Sequence, residues 1–323
     1  MKLRIATFNL ENFDDKPGDK PTLDERIALM RPQLLRLNAD LICFQEVNGQ
    51  EQPGQPRQLL ALDKLLAGTQ YSNFKRVSTM TGNQVYDERN LVILSRFEIL
   101  ESKQQGPANE PLYRRITSDP PDAAANPVSW ERPILYAQLK LSASRVLHIF
   151  NLHLKSRIPT DIPGQKSGQF TWNSASGFAE GSFISAMKRM GQALQARKLI
   201  DSLFDASPDA LLAVCGDFNS EVEDVPMIAI RGDVRDTQNT LLATRVLVAC
   251  ESSVPESARF SLYHQGRGVM LDHILASRQL LAFYRETEIH NELLHDESVL
   301  GASDKLYPES DHAPAVATFE LPD

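Results

Sequence analysis

Residues 211–220 read Leu211-Leu-Ala-Val-Cys-Gly-Asp-Phe-Asn-Ser220, an apolar run that leads directly into a glycine and a group of polar residues. A run of this length bounded by such residues predicts a buried strand that ends at a loop. Residues two apart in an extended chain point to the same side, so Asp217 and Asn219 aim a carboxylate and a carboxamide at one place. This pair suits attack on a phosphate ester, because the carboxylate can hold or deprotonate water while the amide holds a substrate oxygen. An Asx turn at a strand end is the plain structural alternative.

The composition is that of an ordinary soluble globular protein, with 323 residues of which 42% are hydrophobic and 24% charged. The formal net charge of -8 argues against a protein that binds long duplex nucleic acid mainly through its overall charge. It allows a phosphate substrate, because a bound divalent cation reverses the local field. The cysteines Cys43, Cys215 and Cys250 have no spacing typical of a metal site or a disulfide frame. The sequence contains no signal-peptide core and no transmembrane run, so we expect a cytoplasmic protein, and we predict no protein partner.

Strand patterns recur along the whole chain, with a few helices between them. We predict strands over residues 3–8, 39–46, 74–78, 90–95, 134–141, 146–154, 211–215, 245–249, 269–275, 283–289 and 315–320. A capping box at Thr22 and Glu25 predicts a helix that Pro32 should kink or end, and a later helix is predicted over residues 183–204. Residues 105–129 and 156–182 have no periodicity and predict long loops. No linker divides the chain, so we expect one catalytic domain spanning residues 1–323.

Polar residues follow one predicted strand after another. They are Asn9, Glu46, His153 with Lys155, Asp217 with Asn219, Asp272 with His273, and Asp311 with His312. Ligand sites in layered α/β proteins gather at strand ends, so these side chains predict a shared site. His148 lies an odd number of residues from His153 and should face the other side of its strand, which favours a structural role. His273 should point away from Asp272 and is not expected to be catalytic.

The residues at these strand ends carry a resemblance to a known family. The matching pieces, in chain order, are Ala6-Thr-Phe-Asn9, Phe44-Gln-Glu46, Asn151-Leu-His153, Gly216-Asp-Phe-Asn219, Leu271-Asp-His273 and Ser310-Asp-His312. This ordered set resembles the endonuclease/exonuclease/phosphatase superfamily, which includes deoxyribonuclease I, apurinic endonucleases, inositol polyphosphate 5-phosphatases and neutral sphingomyelinases. The resemblance implies an α/β (α+β) fold: a four-layer α-β-β-α sandwich, with two packed mixed sheets flanked by helices. It also implies Mg²⁺ or Mn²⁺ and in-line hydrolysis of a phosphoester by water.

The resemblance further implies a role for each strand-end residue. Glu46 is expected to be the main metal ligand with Asn9 beside it, and Asp311 to approach that metal or a second cation. Asp217 is expected to orient or deprotonate the attacking water, and Asn219 to hold a phosphate oxygen. His312 would lie against the scissile phosphate, with Asp272 fixing its ring and favouring the protonated form. Hard oxygen donors without cysteine independently fit such a metal.

His153 distinguishes the branches of the family. Apurinic endonucleases resemble one another in a tyrosine-containing motif at this strand end, where the present chain has His153-Leu-Lys155. This places the chain nearer the deoxyribonuclease I, sphingomyelinase and phosphatase branches, in which the histidine touches phosphate or the leaving group. Glu88 is the candidate to hold His153 in place. Arg132 and Lys155 are the candidates to bind phosphate, although Lys155 could equally be a solvated strand end.

We therefore favour a metal-dependent phosphodiesterase that cleaves nucleic acid, as deoxyribonuclease I does. The alternative is a phosphomonoesterase or a lipid, sphingomyelinase-like phosphodiesterase on the same scaffold, since a small or lipid headgroup needs no long basic track. The Trp-Cys-Asp-Arg motif typical of inositol phosphatases is missing from residues 255–275. An inactive scaffold that serves as a binding module is a third hypothesis. Phe170, Trp172 and Phe178 could form a substrate-facing flap or pack on the body.

Overall fold

The computed structural model describes residues 1–106, 113–115, 126–130, 132–235, 237–296 and 307–322. Most of the predicted loop over residues 105–129 therefore lies outside the described residues. Within the described chain, no helix is both long enough and apolar enough to span a membrane.

Two six-stranded sheets form the centre of the molecule. Their strands, numbered in chain order, are β1 (Lys2–Phe13), β2 (Leu41–Val47), β3 (Lys75–Ser78), β4 (Asn90–Ser95), β5 (Glu98–Gln105), β6 (Ile134–Lys140), β7 (Val146–His153), β8 (Leu211–Asp217), β9 (Leu247–Ala249), β10 (Asp272–Ser277), β11 (Tyr284–Ile289) and β12 (Ala315–Glu320). The first sheet has the order β11-β12-β1-β2-β4-β3 and the second β9-β10-β8-β7-β6-β5. Both sheets are mixed, because β1–β2 and β7–β8 are parallel while the other neighbours are antiparallel.

Helices and small hairpins complete the fold. The helices are α1 (Leu23–Leu37), α2 (Leu60–Leu66), α3 (Ala175–Ala206), α4 (Val225–Arg231) and α5 (Arg278–Leu281), with 3-10 turns at Gln70–Asn73, Thr240–Arg245, Cys250–Ser253 and Glu256–Ala258. Two-stranded hairpins pair Gln50–Gln52 with Gln55–Gln58, Met80–Thr81 with Gln84–Val85, Tyr113–Arg115 with Asn126–Val128, and Leu262–His264 with Arg267–Val269.

Three hydrophobic cores separate the layers, and the alternation of side chains along each strand explains why. Ile5 on β1 and Ala213 on β8 belong to the core between the two sheets. Their sequence neighbours point the other way, as expected of an extended chain: Ala6 packs in the core that contains α1 and α2, and Leu212 in the core that contains α3 and α4. The layers are thus helix, sheet, sheet and helix, which confirms the predicted α-β-β-α sandwich.

The predicted capping box is present at the start of α1. The Glu25 backbone amide donates to the Thr22 hydroxyl, and the Glu25 carboxylate accepts from the Thr22 backbone amide at 2.7 Å. Pro32 does not end the helix, which continues to Leu37 and is capped by Asn38 in the left-handed region. Buried residues on both sides of the proline, including Met30 and Leu34, pack in the core beneath the first sheet, and this packing maintains the helix.

Other boundaries differ from the sequence prediction for identifiable reasons. Helix α3 begins at Ala175 rather than at residue 183, because the Ser174 hydroxyl caps it by accepting from the Gly177 amide at 3.0 Å. The strand predicted from residue 269 begins at Asp272, since Val269 belongs to a separate hairpin. The strand predicted from residue 245 begins at Leu247, after a 3-10 turn.

Candidate active site

Three of the predicted site residues stand in one row across the second sheet. His153 on β7 is the register partner of Asp217 on β8, which is in turn the partner of Asp272 on β10. Cross-strand partners project to the same face of a sheet, so the hydrogen-bonding pattern alone brings these side chains together. Asn9 on β1 and Glu46 on β2 approach the row from the other sheet, and all but Glu46 are almost completely buried.

Asp217 lies at the centre of the site. Its Oδ2 atom accepts hydrogen bonds from Asn9 Nδ2 and Asn219 Nδ2 at 3.1 Å each and lies 3.2 Å from Nε2 of His153. Its Oδ1 atom accepts from the Asn219 backbone amide at 2.8 Å. Burial raises the pKa of this carboxyl, but the hydrogen bond and charge of His153 and the charge of His312 outweigh burial and lower it. Asp217 is therefore ionised throughout the physiological range.

The glycine before Asp217 is required by the close approach of β7 and β8. Gly216 has φ +143°, and a Cβ atom at this position would lie 1.9 Å from the carbonyl oxygen of Leu152. No side chain larger than hydrogen fits there. After the strand, Asn219 adopts the left-handed conformation with φ +47°. In this turn the backbone amide of Asn219 points back to the Asp217 carboxylate. The Asx turn considered as the structural alternative for this segment is therefore part of the site.

Glu46 faces the row from the first sheet. Its Oε2 atom accepts from the Asn12 backbone amide at 2.9 Å, and its Oε1 atom lies 3.5 Å from Nε2 of His153. Burial raises the pKa of Glu46, but the charges of His153 and Arg132 are among the effects that outweigh it, so the pKa is lowered. The result is an ionised carboxylate held inside the cleft, with one oxygen directed to the centre of the site.

His312 and Asp272 form a buried pair on the opposite side of Asp217. Nδ1 of His312 lies 2.6 Å from Oδ2 of Asp272, and its Nε2 lies 4.0 Å from Oδ2 of Asp217 and 3.9 Å from Oδ1 of Asp311. Burial lowers the pKa of His312, but the charges of Asp272 and Asp311 outweigh burial and raise it well above its ordinary value. His312 is therefore a cation at neutral pH that presents one N–H to the cleft.

The donor set fits a hard divalent cation. Asp217, Asp272 and His312 have ligand atoms within 4.8 Å of one another, but a protonated imidazole held by Asp272 cannot act as a ligand. Glu46 is the better ligand, because its carboxylate is ionised and its Oε1 atom faces the cleft. Asn9 also reaches the centre of the site, where its side-chain amide bonds Asp217. Carboxylate and amide oxygens are the ligands that Mg²⁺, Mn²⁺ and Ca²⁺ prefer.

The structure does not bring every predicted residue to the centre. Arg132 lines the cleft and donates to the Leu154 carbonyl at 3.0 Å. Lys155 Nζ instead donates to the Ser156 hydroxyl and the Ile158 carbonyl, at 3.0 and 3.1 Å, and it lines a neighbouring hollow. Glu88 is 54% exposed and lies 3.9 Å from Nζ of Lys16.

Glu88 consequently does not provide the expected support for His153. The buried Nδ1 atom of His153 has no hydrogen-bond partner within the part of the chain that the structure describes. The ring is positioned instead by the contacts of its other nitrogen with Asp217 and Glu46. His148 is confirmed on the far side of the strand, where it bonds the Tyr136 hydroxyl, and His273 is turned away from the row toward Glu251.

Several residues that support the site were given no supporting role from the sequence. The Glu11 carboxylate accepts from the Asp311 backbone amide at 3.1 Å, and the Ser310 hydroxyl donates to the Asn9 carbonyl at 2.8 Å. Below the site, Gln45 Nε2 donates to Asn151 Oδ1 at 2.7 Å and thereby joins the two sheets through a buried bond. All of these residues except Glu11 belong to the six sequence motifs that carry the family resemblance. Those motifs therefore contain residues that support the site as well as residues expected to take part in the reaction.

The cleft is more basic than the overall charge implies. It has a volume of ≈ 510 Å³, and its lining includes the cations Arg89, Arg132 and Arg157 together with the acids Glu46 and Asp217. One of these cations, Arg157, is paired with Asp224 at 2.7 Å, so the lining carries both signs of charge. A cleft of this charge can accept an anionic substrate, because focusing depends on the local distribution of charge and not on the net charge.

Two packed mixed sheets with a buried Asp, His and Glu cluster at one edge define the class of α/β phosphoester hydrolases built on the α-β-β-α sandwich. The chain belongs to the endonuclease/exonuclease/phosphatase family, whose model matches residues 6–312. No curated protein sequence matches the chain.

Solved structures share the fold over almost the whole chain. Truncated TDP2 from Caenorhabditis elegans has 17% identity and a TM-score of 0.59, covering 99% of this chain and 98% of that chain. The 3′ phosphatase NExo from Neisseria, bound to a product DNA hairpin, has 16% identity and a TM-score of 0.54, covering 99% and 100%. An AP endonuclease from Archaeoglobus fulgidus has 16% identity and a TM-score of 0.53, covering 99% and 100%.

Proposed function

We propose that this protein is a metal-dependent phosphoester hydrolase that acts on nucleic acid, working as a single catalytic domain. The observation that carries the proposal is the position of Asp217, which accepts from Asn9, Asn219 and His153 and lies 4.0 Å from protonated His312. The family supports phosphoester chemistry. Two proteins of the same fold, a 3′ phosphatase bound to a product DNA hairpin and an AP endonuclease, support nucleic acid as the substrate.

The residues around Asp217 divide the chemistry between them. Asp217 is ionised and directs its carboxylate into the cleft, so it orients the attacking water and accepts its proton as the water oxygen bonds to phosphorus. The ester P–O bond breaks in the same displacement, and the leaving oxygen takes a proton from solvent. The charges of Asp272 and Asp311 outweigh burial and raise the pKa of His312, which favours the protonated form and the role of a hydrogen-bond donor. His312 donates a hydrogen bond to a phosphate oxygen, where it stabilises the negative charge that develops in the transition state. Asn219 and His153 donate to the Asp217 carboxylate and hold it in this orientation.

Glu46, Asn9 and Asp311 would hold the divalent cation. When bound, such an ion polarises the phosphoryl oxygens and offsets the charge of the cleft carboxylates. Asn9 also fixes Asp217, because its Nδ2 atom donates to that carboxylate. The side-chain oxygen of Asn9 would serve the cation, whereas its side-chain nitrogen serves Asp217. Glu11 accepts from the Asp311 backbone and so fixes the segment that carries both Asp311 and His312.

The test is a substrate panel with purified protein, with Mg²⁺ or with EDTA. The panel contains plasmid, single-stranded DNA, RNA, sugar phosphates and sphingomyelin. Asp217→Asn and His312→Gln should each reduce hydrolysis by about 10³-fold while the circular dichroism spectrum is unchanged. The matched control is Asp209→Asn, in the exposed turn just before the same strand, which should retain full activity. Retained hydrolysis in both site variants would overturn the proposal.

A lipid phosphodiesterase is the second candidate, because Ile158 in the cleft lining is exposed and further apolar side chains are exposed in and ahead of α3. Ile158 is 68% exposed and lines the cleft, and Phe170 and Phe183 are also exposed on the segment that leads into α3 and on its first turns. Such side chains can enter a membrane interface. Turnover of sphingomyelin vesicles but of no nucleic acid in the same panel would favour this candidate over the first.

A further inference from the structure

Strand β1 leaves its regular pairing with β2 where it reaches the active site. Asn9 pairs with Gln45, and regular pairing resumes only at Phe13. Residues 10–12, which we call the β1 bulge, therefore stand opposite the single residue Glu46. A bulge bends its strand and disrupts the hydrogen-bond ladder locally. This bulge directly follows Asn9 and lies opposite Glu46, the two residues proposed to hold the divalent cation together with a third ligand.

The guanidinium of Arg26, near the start of helix α1, binds the backbone of the β1 bulge. Its Nη2 and Nη1 atoms donate to the carbonyls of Leu10 and Glu11, at 2.7 and 3.0 Å. The centre of the guanidinium lies 5.2 Å from the centroid of the Phe13 ring, which adds a cation–π contact. One side chain thus fixes two successive peptide groups of the bulge.

The backbone at this point is in a conformation that is uncommon for residues with a side chain. In the β1 bulge, Glu11 has φ +51° and Asn12 has φ +44°, and opposite them Glu46 has φ +57°. All three values lie in the left-handed region. Such conformations persist only where the surrounding structure maintains them, and they cluster at functional sites. The hydrogen bonds that Arg26 donates provide this support for the bulge.

The peptide group between Glu11 and Asn12 connects Arg26 to Glu46. Its carbonyl, which belongs to Glu11, accepts from Arg26, and its N–H, which belongs to Asn12, donates to Oε2 of Glu46 at 2.9 Å. A peptide group is planar and rigid, so a rotation that released the carbonyl would also turn the N–H away from the carboxylate. Arg26 therefore controls the orientation of Glu46 through a single peptide plane.

Further contacts connect Arg26 to the segment that carries Asp311. The Glu11 carboxylate accepts from the Asp311 backbone amide at 3.1 Å. The Nε atom of Arg26 donates a longer hydrogen bond, of 3.4 Å, to the Pro308 carbonyl. Arg26 is thus linked to Asp311 as well as to Glu46, although the two ligand candidates come from distant parts of the chain.

We propose that Arg26 is a positioning residue for the divalent cation, because its guanidinium holds the β1 bulge and the Pro308 segment so that Glu46 and Asp311 converge before the ion binds. The inference rests on the proposed function, to which the cation belongs. Preorganised groups bind more tightly because the cost of ordering them is already met. Arginine suits this role, since its planar fork presents several donors at fixed angles.

The charge of Arg26 and its hydrogen bonds predict opposite effects on the cation. Burial lowers the pKa of Arg26, and the charges of three carboxylates oppose this shift, namely Glu11, Asp311 and Glu46. Arginine nevertheless remains charged, so its guanidinium repels a divalent cation held by the same carboxylates. Removal of the charge alone would therefore tighten cation binding, whereas loss of the hydrogen bonds to the carbonyls would weaken it.

The experiment measures the affinity for Mn²⁺ by electron paramagnetic resonance, without substrate, in Arg26→Gln and Arg26→Lys. Glutamine removes both the charge and the fork, whereas lysine keeps the charge and loses only the fork. The matched control is Arg31→Gln. Arg31 lies on the same helix and also donates to a backbone carbonyl, that of Leu65 in α2 at 3.1 Å. Urea denaturation of each variant records its stability, and the Mg²⁺ concentration for half-maximal turnover is a second readout.

Both Arg26 variants should bind Mn²⁺ at least about tenfold more weakly than the native protein, and half-maximal turnover should require more Mg²⁺ by a similar factor. Arg31→Gln should keep the native affinity even if its stability falls. Native or tighter Mn²⁺ binding in Arg26→Gln would overturn the proposal, as would an equal loss in Arg31→Gln. If Arg26→Gln does not fold, Arg26→Lys decides, and native affinity in that variant would overturn the proposal. Absence of turnover in the native protein would overturn the proposed function, whereas Mn²⁺ binding would still decide the role of Arg26.

Discussion

The Nε2 atom of His153 lies 3.2 Å from Oδ2 of Asp217, and the two residues are register partners on neighbouring parallel strands. The same nitrogen lies 3.5 Å from Oε1 of Glu46, which belongs to the other sheet. Burial and the charge of Arg132 lower the pKa of His153 against the attraction of both carboxylates. One imidazole edge therefore connects the group proposed to orient water with the group proposed to hold the cation.

Replacement of His153 by alanine should reduce kcat/KM for nucleic-acid hydrolysis by about 10²-fold, because Asp217 and Glu46 lose the donor between them. The measurement is steady-state hydrolysis of the best substrate in the panel. His148→Ala is the matched control, since His148 lies on the same strand but bonds only Tyr136 among the contacts that the structure shows. A comparable loss in both variants would mean that the effect belongs to the strand and not to the site.

Glu46→Gln should weaken the binding of a divalent cation at least about tenfold. The substitution keeps the shape of the side chain and removes the charge, which is the property that a hard cation requires. Binding of Mn²⁺ is measured by electron paramagnetic resonance with no substrate present, so the result does not depend on activity. Glu88→Gln serves as the control, because Glu88 is 54% exposed and lies toward Lys16. Unchanged Mn²⁺ affinity in Glu46→Gln would reject Glu46 as the main ligand.

The layer order and the strand-end residues were predictable from the sequence because both follow from local rules. Apolar runs that end in polar residues indicate buried strands whose tips share an edge, and the row of His153, Asp217 and Asp272 is the result. The position of Glu88 was not predictable in the same way. Glu88 lies next to Arg89, whose φ is positive, so the direction of the chain there depends on the hydrogen bond that the Arg89 backbone amide donates to the Asn48 side chain.

Long-range packing also determines the features for which the sequence-based prediction was open or wrong. Pro32 is tolerated inside α1 because the helix rests on the first sheet. The start of α3 looked like a loop because it is rich in glycine and serine, yet Gly181 is the residue that permits contact with Thr160.

The buried pair of His273 and Glu251 should be important for stability. His273 bonds Glu251 through Nδ1 and the Ser220 carbonyl through Nε2 at 2.8 Å, and both side chains are almost fully buried. Glu251→Gln should lower the free energy of unfolding by about 3 kcal/mol near neutral or lower pH, because it leaves a buried charge without its partner. Urea denaturation measures the difference. Glu292→Gln, which breaks an exposed pair with Arg36, should cost less than about 1 kcal/mol.

The stability effect of this pair should also depend on pH. Burial lowers the pKa of His273, but the charge and hydrogen bond of Glu251, the Ser220 carbonyl and the charge of Asp272 outweigh burial and raise it. A raised pKa adds stability that is fully present below the unfolded value of about 6.5 and is lost as pH rises through the folded value. The deficit of Glu251→Gln should therefore shrink toward alkaline pH, and a deficit that grows instead would contradict the assigned protonation.

Gly216→Ala should destabilise the protein by at least about 3 kcal/mol, because the new Cβ atom would lie 1.9 Å from the Leu152 carbonyl oxygen at a φ of +143°. Relief of this clash requires β8 to move away from β7, and the movement would carry Asp217 out of reach of His153. The two measurements are the midpoint temperature of thermal denaturation and kcat, and both values should fall. Gly82→Ala is the matched control: its φ is +63° with no atom within 4 Å of the added Cβ, so it should cost only about 1 kcal/mol and leave kcat unchanged. If Gly216→Ala were as mild as the control, the close strand contact would not be what positions the Asp217 carboxylate.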